Sequence, residues 1–174
     1  MFERMKKIII LSAVIFIATN YIEAKEIGGG GMEITSPAFG HNGYIPAKYT
    51  CEGEDINPAL VISGIPEGAK SLSLIMDDPD APMGVWVHWV VFDMPVVSRI
   101  EENSVPGKLG ITNSGRSNYH GPCPPSGTHH YFFKIYALDT QLNLKEGITK
   151  GQLEKAMQGH ILDKAELIGL YKRK

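Results

Sequence analysis

The chain has 174 residues, with 17 Lys and Arg against 19 Asp and Glu, for a formal net charge of −2 at pH 7. That length is enough for one domain with its own core, and 43% hydrophobic against 21% charged residues excludes wholesale disorder. The slightly acidic balance argues against a dedicated nucleic-acid binder, which needs a basic excess, and two Cys are too few for a disulfide-scaffolded mini-protein.

At the N-terminus Arg4, Lys6 and Lys7 precede an apolar run from Ile8 to Ala18, broken by Ser12, and the segment closes on Ile22-Glu23-Ala24. A basic start, a short apolar middle and a small residue have the form of a secretory signal peptide cleaved near Ala24. The run falls short of the roughly 20 apolar residues of a membrane span; an uncleaved signal anchor is the alternative, because Ile22-Glu23-Ala24 is an imperfect cleavage site. The expected organisation is a signal peptide over 1–24, a tether over 25–31 that includes Gly28 to Gly31, and a folded domain over 32–174. The expected location is the periplasm or the exterior. Export gives the two thiols a meaning: Cys51 and Cys123 form a candidate disulfide in an oxidising compartment. The other reading is a pair of buried free thiols.

Further along, Ser71 to Met76 alternates as a strand and runs into Asp77-Asp78-Pro79-Asp80-Ala81-Pro82, a proline-stiffened turn. Val85 to Phe92 is rich in β-branched and aromatic residues and is a second strand. Period-two alternation puts Trp86, His88 and Val90 on one face and Val87, Trp89 and Val91 on the other. Both faces are largely apolar, with His88 as the polar intruder. Val96 to Tyr119 is polar and poorly periodic, a loop with short strands. Gly121-Pro122-Cys123-Pro124-Pro125-Ser126-Gly127 is a stiff loop, and Thr128 to Leu138 is another strong strand. Thr149 to Gln152 fits a capping box, with Leu153, Ala156 and Met157 at helical spacing and Gly159 as the stop. Ala165 to Tyr171 reads as a final strand, since Gly169 weakens a helix there. Strands with polar connections and one short helix make a mainly β domain, most simply a sandwich of antiparallel sheets.

Polar chemistry collects at three places: the Asp78–Asp80 turn, His88, and His129-His130 at the start of the last strong strand. If the strands lie side by side, Asp78, His88 and His129 converge at one sheet end. A carboxylate beside an imidazole favours its charged form, which donates strongly to a phosphate oxygen. Backbone N–H groups near Gly121 and Gly127 would add an anion nest. Each piece also has a structural reading: the turn as a turn only, and His88 as a hydrogen-bonded core residue. His41, His120 and His160 read as surface residues. No H-x-H or H-E-x-x-H spacing supports a metal site. Cys123 lies between prolines with no orienting group for thiol catalysis, and Ser126 lacks a nucleophile-elbow context.

Cys51 to Pro58, Asp77 to Pro82, Trp86 to Phe92 and Gly121 to His129, in that order, resemble the phosphatidylethanolamine-binding protein family, in particular its bacterial Raf-kinase-inhibitor-like (YbhB/YbcL-type) branch. The similarity runs from about Ile34 to Arg173. It implies a β-sandwich of two antiparallel sheets with Greek-key topology and a short helix near the C-terminus. It also implies an anion pocket built from Asp78, His88, Gly121, His129 and Tyr131. The chain departs from the family pattern where His130 replaces a usual arginine, removing a permanent cation. Ile62 stands near a position where bacterial relatives often carry tryptophan. The mammalian C-terminal helix has no counterpart before Lys174, so the pocket mouth is expected to be more open.

The expected function is an exported, non-catalytic protein that binds a small anion or phospholipid head group, with no cofactor and no metal. The alternatives are a protein-interaction module acting as a protease or kinase inhibitor through the pocket face, and a weak hydrolase. Besides the anionic ligand, a protein partner or a second copy of the chain is considered, and nucleic acid is not.

Overall fold

The structure, a computed structural model, describes residues 31–174; the expected signal peptide and all of the expected tether except Gly31 lie outside the described residues. In chain order come β1 (Glu33–Thr35), β2 (Gly43–Tyr44), a 3-10 turn (Ala47–Tyr49), β3 (Leu60–Ser63), β4 (Ser71–Asp78) and β5 (Trp86–Met94). They are followed by β6 (Arg99–Ile100), β7 (Lys108–Leu109), β8 (His129–Leu138), α1 (Lys150–Met157) and β9 (Ile161–Tyr171). Six strands form one sheet in the order β2-β9-β8-β4-β5-β7, and three form a second in the order β1-β3-β6. Within the large sheet β8, β4, β5 and β7 stand in Greek-key order, the last strand of the set returning beside the first. The pairs are antiparallel except at one edge, where β2 runs parallel to β9. No tight hairpin joins those two segments, so nothing local forces the antiparallel direction.

Alternation decides the packing. Leu72, Leu74 and Met76 of β4 share one face with Phe133, Ile135 and Ala137 of β8, and pack against Ile34, Leu60, Ile62 and Ile100 from the small sheet. The opposite face of the large sheet carries Ile75, Val87, Val90 and Phe92 and is covered by Leu153 and Met157 of α1. A strand buried on both faces has no polar side to show, which is why all eight residues of β4 are buried. The helix starts at the expected capping box: Thr149 Oγ1 accepts from Gln152 N, and Gln152 Oε1 accepts from Thr149 N at 2.8 Å. It is pinned by charge as well. Asp77, on the helix-covered face and only 1% exposed, accepts from Lys134 Nζ of β8 at 2.7 Å and from Lys150 Nζ of α1 at 2.5 Å.

Two loops meet at one end of the large sheet. Cys51, just past the 3-10 turn, is bonded to Cys123 in the proline-rich loop, with Cα atoms 5.4 Å apart, inside the range a disulfide requires. Beside it Cys51 N donates to Pro122 O at 3.2 Å, and Tyr119 Oη donates to Tyr49 O at 2.8 Å. The connection from β4 to β5 runs from Pro79 to Val85.

Candidate functional site

The end of β4 and the starts of β5 and β8 open into a cavity of about 410 Å³. Asp78, Trp86, His88, His129 and Tyr131 form its floor, the Ala81-Pro82-Met83 turn one side, and His120, Cys123, Pro124 and Pro125 the other. Asp78, His88, His129 and Tyr131 therefore meet at one place, and Gly121 is not among the walls.

His88 reaches the cavity by a departure from alternation. Met76 pairs with Trp89 and Asp77 with Val87, so His88 is an extra residue in the β5 ladder. Such a bulge turns two successive side chains to one face. Trp89 packs between the sheets, Val87 and Val90 pack under the helix, and His88 stands edge-on to Tyr131 at 5.2 Å between ring centroids. Strict period-two reading, which groups His88 with Val90 and opposes it to Trp89, fails here because the register slips by one residue.

The bonding of His88 sets its proton inventory. His88 Nδ1 lies 2.6 Å from the carbonyl oxygen of His120. A carbonyl only accepts, so Nδ1 carries the hydrogen and Nε2 of the neutral ring holds a lone pair. Burial pushes the imidazole down to about 4, against a smaller upward pull from the His120 carbonyl. The expectation that a charged imidazole donates to the anion therefore fails at His88, because desolvation outweighs its partners.

His129 has the opposite arrangement. Its Nδ1 donates to Asp78 Oδ2 at 2.7 Å, with both side chains buried. Asp78 Oδ1 accepts from Asp80 N at 2.8 Å. Both carboxylate oxygens are thus engaged within the protein, and Asp78 orients His129 instead of facing the cavity with free lone pairs. Asp80 repeats the clamp one residue on: its Oδ2 accepts from His130 N at 2.8 Å and from His130 Nδ1 at 2.7 Å. The His130 imidazole holds the Asp80 carboxyl below its ordinary range. The Asp78-Pro79-Asp80 turn is both a stiff corner and the mount for two consecutive histidines on opposite faces of β8, with His130 outside the cavity.

Tyr131 completes the floor. Its hydroxyl is buried and has no hydrogen-bond partner among the described residues. Burial pushes the phenol far up, so the proton stays on oxygen. An unpartnered buried hydroxyl costs free energy unless something else meets it.

Three residues are placed differently from expectation. His120, read as a surface residue, stacks on His88 with ring centroids 5.9 Å apart and supplies the carbonyl that fixes its tautomer. The His120 N–H returns a bond to His88 O at 3.0 Å. Only the adjacency of β5 to this segment brings the two together; the neighbouring Gly121-Pro122 was the one local hint. Gly121 does not offer its N–H to the cavity, since it donates to Asp55 Oδ1 at 2.6 Å. A Cβ there would lie 2.7 Å from that oxygen and 2.8 Å from Thr50 Cα. The glycine permits close approach of two backbones and does not form an anion nest. Gly127, at φ +72° in open surroundings, is also absent from the walls. Gly121→Ala is accordingly expected to lower stability by about 1–3 kcal/mol through overpacking, read as an earlier thermal transition. Unchanged melting would contradict this packing role.

Among the described residues no group of three or more His, Cys, Asp or Glu side chains is disposed to hold a metal ion.

The family model for "Phosphatidylethanolamine-binding protein" matches residues 35–172. A UPF0098 protein of Pyrococcus abyssi is 52% identical over 162 residues, spanning 85% of this chain and 90% of that protein. A UPF0098 protein of Methanothermobacter thermautotrophicus is 51% identical over 150 residues, spanning 82% and 99%. The structure resembles the crystal structure of CT736, a phosphatidylethanolamine-binding protein homologue from Chlamydia trachomatis, with a TM-score of 0.81, 44% identity, and coverage of 83% of this chain and 99% of that one. It also resembles YbcL of E. coli, described as a member of the mammalian PEBP family, with a TM-score of 0.77, 27% identity, and coverage of 83% and 100%.

Proposed function

The chain belongs to the phosphatidylethanolamine-binding protein family, and on that premise we propose that it is an exported, non-catalytic binding protein whose cavity takes a small anion, a phosphate or a phospholipid head group. The observation that carries this reading is a pair of imidazoles lining one cavity, His129 held from behind by Asp78 and His88 by the His120 carbonyl. A few polar groups in a concave, largely apolar space are the usual build of a small-molecule site. A binding role is favoured over catalysis because the obvious reactive groups are committed. Cys123 is in a disulfide, both Asp78 oxygens accept protein N–H groups, and Ser126 is exposed outside the cavity. The basic-then-apolar leader and the disulfide together support export. Mass spectrometry of the mature protein should find a chain starting after Ala24; a membrane-held chain starting at Met1 would overturn that part.

Calorimetry with phosphoethanolamine tests the pocket. His129→Ala should weaken binding by about 1.5–3 kcal/mol, roughly ten- to hundredfold, the worth of a charge-assisted hydrogen bond. His41→Ala, remote from the cavity, should leave affinity unchanged. Each variant must keep its thermal transition, since a buried histidine also supports the fold. A folded His129→Ala protein that binds like the parent would return these residues to a structural role. Turnover of a chromogenic phosphate ester, lost in His88→Ala, would replace the binding reading with the hydrolase.

One feature favours a second reading, a protein-interaction module acting through the same face. Met83, on one side of the cavity, is 94% exposed, and exposed Pro125 stands on the opposite side. Partner binding that phosphoethanolamine displaces would support it.

A further inference from the structure

The two imidazoles on the cavity floor are not equivalent, and their difference specifies what the ligand must bring. Behind His129 stands a carboxylate, Asp78, at 2.7 Å. Behind His88 stands a carbonyl, that of His120, at 2.6 Å. The carbonyl forces the hydrogen onto His88 Nδ1 and leaves Nε2 as a bare acceptor on the cavity side. Among the described residues His88 is hydrogen-bonded through Nδ1 to the His120 carbonyl and through Nε2 to no side chain or backbone group. A fully ionised anion would set its lone pairs against the lone pair of His88 Nε2. An anion that carries a hydrogen satisfies this acceptor, because its own O–H donates to His88 Nε2.

We propose that the cavity selects an oxyanion bearing its own acidic hydrogen, a terminal phosphate monoester in its monoanionic P–OH form, and that His88 is the residue that reads this hydrogen. The inference rests on the anion reading above and specifies its ligand class. The charged and titratable groups facing His88 are Asp78 and Asp77 from β4, His129 and Tyr131 from β8, and His120 from the loop stacked on it. The carboxylates pull toward a charged ring, and burial pushes against it and prevails, so Nε2 stays an acceptor down to about pH 4. The monoester loses its P–OH hydrogen near its second pKa, about 6. Affinity should then be greatest between these limits and fall as pH rises through the ligand's own second pKa. Phosphate monoesters occur as free metabolites and as lipid head groups; the shared chemistry is the terminal P–OH.

The test uses the full protein in calorimetric titrations with methyl phosphate, dimethyl phosphate and methylphosphonate, and sedimentation with phosphatidylcholine vesicles containing phosphatidic acid or phosphatidylglycerol. Methyl phosphate should bind roughly ten- to hundredfold more tightly than dimethyl phosphate, which is a monoanion with no P–OH. The fall of affinity with pH should shift upward with methylphosphonate, whose second pKa is higher, because the titrating hydrogen belongs to the ligand. In nitrogen-resolved NMR, His88 Nε2 should appear unprotonated from pH 5 to 8 and shift on binding. Soluble-ligand binding without vesicle binding would assign a free monoester; preference for phosphatidic acid over phosphatidylglycerol would assign a lipid source. Equal binding of monoester and diester, or a pH midpoint that ignores the ligand's pKa, would overturn this inference and leave the anion site standing. Failure of all these anions to bind would overturn both.

Discussion

Replacing Cys51 and Cys123 together with serine should lower the stability of the folded domain by about 4 kcal/mol in the chain-entropy account of cross-links. The bond closes a separation of 72 residues, and breaking it returns that freedom to the unfolded chain. The joined segments are also held by Cys51 N to Pro122 O at 3.2 Å, Tyr119 Oη to Tyr49 O at 2.8 Å and Gly121 N to Asp55 Oδ1 at 2.6 Å. Those bonds keep the native loops in place, so the loss should appear in the denaturation midpoint and leave secondary structure intact. Because Cys123 is part of the cavity wall, the variant should also bind phosphoethanolamine more weakly. Urea denaturation with and without reductant measures the first effect. A parent protein whose midpoint ignores reductant, with both thiols alkylated under native conditions, would show that the bond does not form.

Removing both lysines that face Asp77 should destabilise the domain by about 3–5 kcal/mol. Asp77 is 1% exposed, and Lys134 and Lys150 reach it from two different elements. In Lys134→Met/Lys150→Met the carboxylate stays sealed under α1 without a counter-charge. A single Lys150→Met should cost less, because Lys134 remains at 2.7 Å. Adding Asp77→Leu to the double variant should recover most of the loss, since a buried ion cluster and a packed apolar replacement are often close in free energy. Urea midpoints of the three variants separate these terms, and a double variant as stable as the parent would show that the cluster carries no weight. The result bears on the site, because Asp77 lies at the register slip that turns His88 inward and immediately precedes Asp78.

Much of this molecule follows from local pattern. The long alternating runs that became β4, β5 and β8, the capped helix at Lys150–Met157 and the final strand are each decided by neighbours a few residues apart. The strand ending at Asp78 and the strand opening at His129 already placed an acid and an imidazole at element ends, where functional groups tend to be held. β1, β3, β6 and β7 have two to four residues each, too few for a period to declare itself. Their pairing depends on partners distant in the chain, and so does the parallel edge between β2 and β9.

Residue types and their spacing named Asp78, His88 and His129, with the family resemblance adding Tyr131 and a shared pocket. Tertiary structure alone decided what each atom does there. The bulge against β4 turns His88 to the face of Trp89, the His120 carbonyl fixes its hydrogen on Nδ1, and Asp55 takes the Gly121 N–H away from the cavity. Periodicity is a property of adjacent residues and is legible along the chain. Register, tautomer and the direction of a single N–H are set by groups brought close only when distant segments pair, and no local pattern encodes them.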